Sequence, residues 1–110
     1  MRRVVLTLEA EDALQDIAVY ASERWGETQA KEYLARIRDA CVRHCDNPGM
    51  GRLRRKIGPV EFREIQIGSH VVVYAPRPTD VLVVGVLHEA MDIPARRREL
   101  IRRVRSRGLI

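Results

Sequence analysis

The stretch VGVLHEAMDIP, Val84 to Pro94, sets His88 beside Glu89 with Asp92 four residues on. An imidazole among carboxylates is common raw material for acid–base chemistry, because its charge changes near neutral pH. The same residues also make an ordinary solvated strand end, so His88 is a candidate catalytic group without a defined role. Cleavage of RNA would need cations for the charge developing on phosphorus and an acid for the leaving oxygen. The chain has only two lysines, Lys31 and Lys56, and its tyrosines, Tyr20, Tyr33 and Tyr74, include none in the C-terminal region. Glu89, next to His88, would repel a phosphate.

A second cluster, Cys41, His44 and Cys45, offers three possible metal ligands. It lacks both a fourth ligand nearby and the CxxC knuckle of structural zinc sites, so no metal is expected. The two thiols, four residues apart on a helical pattern, read as small core-facing apolar groups.

Elements of one small domain must hold these groups. A chain of 110 residues supports a single hydrophobic core. No apolar run reaches the roughly 20 residues that span a bilayer, so a cytoplasmic protein without a membrane association is expected. Charge is unevenly placed: residues 96–110 hold seven of the 20 basic residues and one of the 15 acids. Residues 9–47 carry nine acids against five bases, and RLRRK at Arg52–Lys56 forms a second basic cluster. Such polarity suits an electrostatically steered partner better than general nucleic-acid coating.

The β-branched RRVVLTL, Arg2 to Leu8, reads as a strand. Ala10, Leu14, Ile17, Ala21 and Trp25 then recur at helical spacing up to Gly26, and Ala30, Leu34, Ile37, Cys41 and Cys45 repeat the pattern up to Asn47-Pro48-Gly49. Two helices separated by a residue or two fold back as a hairpin. MGRLRRKIGP, with Gly51, Gly58 and Pro59 among charges, reads as a loop of ten residues. EFREIQI, HVVVYA and DVLVVGVLHE follow as strands, joined by Gly68-Ser69 and by PRPT in an antiparallel meander. After Pro94 a helix period returns through Leu100, Ile101 and Val104, on a narrow stripe. The order is β-α-α-β-β-β with a basic C-terminal helix: an α+β fold of two layers, with the hairpin on a mostly antiparallel sheet. Residues 1–95 form the domain proper and residues 96–110 its basic helix or tail.

ERWG, NPGMGR, FREIQIGSHVVVY and VLHEAMDIP occur in the order and at the intervals seen in ParE toxins, and residues 3–95 resemble that branch of the RelE/ParE superfamily. The resemblance implies the toxin of a type II toxin–antitoxin module that inhibits DNA gyrase. It also implies a ribbon-helix-helix ParD-like antitoxin that binds the toxin in a hetero-oligomer, with no cofactor and no sequence-specific DNA binding by the toxin. The alternatives are a RelE-like ribosome-dependent messenger RNA endonuclease, which the residues around His88 favour less, and a non-toxic antitoxin-binding relative. Relatives often carry an arginine directly after the tyrosine of the HVVVY strand, where this chain has Ala75. They often carry a large or basic residue where it has Gly85.

The resemblance, with exposure and charge, assigns a target-binding set of Arg63, Arg77, His88, Arg96, Arg97, Arg98, Arg102 and Arg103. Leu14, Ile17, Tyr20, Trp25, Tyr33 and Ile37 form an antitoxin-binding set on the helical hairpin, with Trp25 expected to pack the end of the first helix onto the sheet. A cationic helix with a narrow apolar stripe is only partly satisfied by its own domain. Removing residues 96–110 is therefore expected to abolish growth inhibition while sparing antitoxin binding.

Overall fold

The computed structural model describes residues 3–110. Strand β1 spans Arg3–Leu6; Arg2, where the expected strand begins, lies outside the described residues. Helix α1 covers Leu8–Trp25 and α2 Glu27–Asp46. Thr7 caps α1 by accepting from the Ala10 N–H at 3.1 Å, and its hydroxyl donates to the Val84 carbonyl at 2.8 Å. One threonine thus starts the helix and ties it to the sheet. Gly26, at φ +87°, is the whole connection between the two helices, a conformation that favours glycine.

After a 3-10 turn at Pro48–Met50 come β2 (Arg52–Ile57), β3 (Val60–Ile67), β4 (His70–Pro76), β5 (Asp80–His88) and helix α3 (Ile93–Ser106). The sheet order is β1-β5-β4-β3-β2, antiparallel except for β1, which runs parallel to β5. The α+β class and the hairpin on a mostly antiparallel sheet agree with expectation. The loop expected at residues 50–59 is corrected: most of it is β2, paired with β3 around a turn that holds Gly58 at φ +58°. Its charges masked the strand, because an edge strand facing water needs no apolar residues and is protected by basic ones.

A second correction concerns the far side of the sheet. Ile17, Tyr33, Ile37 and Cys41 of the hairpin bury one face with Ile67, Val72, Val83 and Val86. Leu100, Ile101 and Val104 of α3 bury the other with Phe62, Val73, Ala75, Leu82, Val84 and Leu87. Every residue from Val81 to Leu87 is buried, as expected for a strand covered on both sides. Burying each α3 side chain contributes about 1.5–3 kcal/mol. The narrow stripe is thus sufficient, and residues 96–110 are a layer of the core that cannot be removed without uncovering the sheet.

A bulge at Val84 interrupts the β4–β5 pairing, since Val73 faces Gly85 while Tyr74 faces Val83. Val84 and Gly85 therefore both face α3. A Cβ on Gly85 would lie 2.5 Å from Leu100 Cδ1, so glycine is what lets α3 seat there.

Candidate functional site

An apolar groove of about 280 Å³ runs between the helical hairpin and the β1–β5 edge of the sheet. Its walls are Leu14 and Ala18 of α1 and Leu34, Cys41 and Val42 of α2, and Val4, Leu6, Val83, Val86 and Ile37 line the rest of it. Gln15 and Arg38 are the polar members of the lining. A concave apolar slot beside a short edge strand can receive an amphipathic helix, whose anchors recur every three or four residues. Burial pushes the Cys41 thiol in this lining up to about 11, so at neutral pH it is an apolar wall and not a nucleophile.

The expected antitoxin-binding residues divide between this groove and a nearby aromatic run. Leu14 and Ile37 line the groove, whereas Ile17 is buried in the core below the hairpin. Trp25 does not pack on the sheet: it is 43% exposed and meets Tyr33 and Tyr20 edge-to-face, at 5.8 and 6.4 Å between ring centroids. Tyr20 is exposed, with the Arg24 guanidinium over its ring. Tyr33 is buried and its hydroxyl bridges to His70 Nδ1 at 2.5 Å.

His88 acquires a neighbour that its sequence surroundings do not reveal. The bulge at Val84 shifts the β4–β5 register by one residue and sets His70 directly opposite His88, with ring centroids 5.2 Å apart. Burial, then the charge of His88, lowers the His70 pKa, while Glu89 acts in the other direction. His88 itself accepts the Ala90 N–H at Nδ1, closing the turn after β5, and Gln66 donates to the Glu89 carboxylate. These bonds shape a strand end, and they give His88 the local role that its sequence position also allowed.

The expected target-binding arginines are largely occupied within the molecule. Arg63 donates to Glu61 and to the Gly49 and Gly51 carbonyls. Arg77 clasps Asp80, holding its carboxyl below the usual range, and reaches the Leu109 carbonyl. Arg97 makes two bonds to the buried Glu64, which also accepts from Arg54. Glu99 takes up Arg102 and Arg103, which hold its pKa down to about 2. Glu9 accepts from Arg107 and Arg103, clipping the end of α3 to the start of α1, and Arg107 above all lowers its pKa. Arg96 and Arg98 are exposed on α3 and, among the described residues, have no ion-pair partner. Arg54 and Arg55, absent from the expected set, lie beside α3 because β2 has a bulge between Leu53 and Arg55.

The family described as the ParE toxin of type II toxin-antitoxin systems, parDE, matches residues 4–93. The chain belongs to the ParE toxin family. It is 35% identical over 92 residues to Toxin ParE1 of Mycobacterium tuberculosis, covering 83% of this chain and 93% of that protein. It is 32% identical over 97 residues to Toxin ParE of Escherichia coli, covering 87% and 93%. Toxin ParE1 of Caulobacter vibrioides is 32% identical over 95 residues, with 86% and 97% covered. A solved structure described as a chromosomal ParDE TA system from P. aeruginosa shares the fold, with a TM-score of 0.64 at 14% identity over 80% of this chain and 96% of that one. Within this ParE-family chain, Ala75 and Gly85 are the small residues beneath α3: Ala75 is buried in the same core as Leu82, and Gly85 faces Leu100.

Proposed function

We propose that this chain is the toxin of a parDE-type module, that its target is DNA gyrase, and that a ribbon-helix-helix antitoxin silences it by laying an apolar helix into the groove between hairpin and sheet. The observation that carries the reading is the open apolar groove on a chain of the ParE family. A toxin that must be both neutralised and releasable needs a receptive surface of this kind, and the free β1 edge beside it suits a following extended segment. The target-facing side is the opposite one, where α3 and β2 carry the arginines, so antitoxin and gyrase engage different faces. Both encounters take place in the cytoplasm, and among the described residues no helix is long and apolar enough to cross a membrane.

Purified toxin is expected to inhibit gyrase supercoiling and trap cleaved plasmid, and equimolar antitoxin to relieve both. An unaffected gyrase, together with messenger RNA cut only when ribosomes are present, would overturn the proposal in favour of the endonuclease reading.

A further inference from the structure

Arg98, Arg102 and Arg105 follow one another at four and three residues on α3, a spacing that places them on one helix face, rising by about 6 and 4.5 Å. They border a cleft of about 420 Å³ whose opposite side is Arg55 of β2. The bulge in β2 is what aims Arg55 there: Arg54 and Arg55 both turn toward α3, Arg54 reaching Glu64 and Arg55 reaching the cleft. Arg102 shares Glu99, whereas Arg55, Arg98 and Arg105 make no ion pair among the described residues. Basic residues on β2 alone would be adequate protection for an edge strand. Convergence of unpaired guanidiniums from a second element goes beyond that need, because like charges gathered without a counter-ion raise the free energy of the free protein.

We propose that this cleft binds the phosphodiester backbone of duplex DNA without reading its bases, and so supplies the DNA contact of the gyrase-directed face. The inference rests on the gyrase reading above for its biological setting. Guanidinium forks match phosphate oxygens bidentately. Among the described residues the cleft contains no aromatic one, and its apolar member, Ile101, is only 2% exposed, so a protein partner would find no anchor to bury. Interfaces with nucleic acid are polar and cationic, whereas protein interfaces are centred on buried aromatic and apolar groups.

Fluorescence anisotropy of the full chain with a labelled duplex of about 20 base pairs, in the absence of gyrase, tests this. Three phosphates neutralised give a log–log salt slope near −2.7, or about 40-fold weaker binding between roughly 50 and 200 mM salt. The triple variant Arg55→Gln, Arg98→Gln, Arg105→Gln should lose that slope while keeping the wild-type circular dichroism and urea midpoint, and the corresponding lysine variant should retain it. Changing the duplex sequence should alter affinity by less than about 2-fold. Absence of duplex binding, or a slope unchanged in the glutamine variant, overturns the inference. So does a labelled polyglutamate that binds through these arginines where duplex DNA does not. A toxin that traps cleaved plasmid but binds no DNA sinks only this inference; one that binds DNA with the expected slope but leaves gyrase unaffected sinks only the proposed target.

Discussion

Glu64 joins three elements through one carboxylate. It sits on β3 with its side chain 5% exposed, accepts from Arg97 of α3 at 2.5 and 3.2 Å, and accepts from Arg54 of β2 at 3.1 Å. Glu64→Gln keeps the shape but removes the charge and replaces one acceptor oxygen with an amide that points hydrogens at a guanidinium. A hydrogen bond to a charged group is worth about 1.5–3 kcal/mol, and removing one partner of a fully buried pair costs about 3–5 kcal/mol. Arg54 is 34% exposed and water can replace its partner, whereas Arg97 at 16% is mostly enclosed, so the loss should fall near the lower bound. The expected destabilisation is about 2–3 kcal/mol, seen in urea as a midpoint lower by about 1–2 M at unchanged slope. A double-mutant cycle with Arg97→Leu should return a coupling of at least about 1 kcal/mol. A midpoint drop under about 0.3 M, or additive single variants, would refute the idea that this carboxylate clamps α3 to the sheet.

Other residues give sharper local tests. Gly85→Ala forces a methyl against Leu100 and should cost about 1–3 kcal/mol, with α3 becoming a faster substrate for trypsin at its arginines; unchanged proteolysis would deny that Gly85 seats the helix. His70 has a lowered pKa in the folded state, so the unfolded chain binds more protons below its own value of about 6.5, and stability present above that pH is lost as pH falls toward the folded pKa. Urea midpoints should decline as pH falls below about 6.5 in the wild type, and decline less in His70→Gln. Ala18→Glu puts a carboxylate in the apolar groove and should weaken antitoxin binding at least about 10-fold while sparing gyrase inhibition, as isothermal titration and a supercoiling assay would show. His88→Ala should fold normally and remain inhibitory in the same supercoiling assay, whereas loss of inhibition in the folded variant would restore His88 to the mechanism.

Periodicity alone marked out the helical hairpin, the β3–β4–β5 meander and the C-terminal helix, because a face that must be buried repeats every 3.6 or every two residues. It missed β2, since its solvent-facing edge position imposes no apolar pattern on the RLRRK run. The uninterrupted VLVVGVL of β5 did carry a signal for a sheet covered on both sides, but α3 looked too weakly apolar to be the cover. The groove was not legible in any one segment, because its walls come from four elements far apart in the chain. What the sequence determined by itself is the family, the element order and the concentration of charge at one end. Tertiary structure decided which arginines are paired and which, among the described residues, are left without an ion pair, and it placed His70 across from His88. Both outcomes depend on bulges, at Val84 and beside Arg54, where a single extra residue changes register and facing in a way that local pattern does not encode.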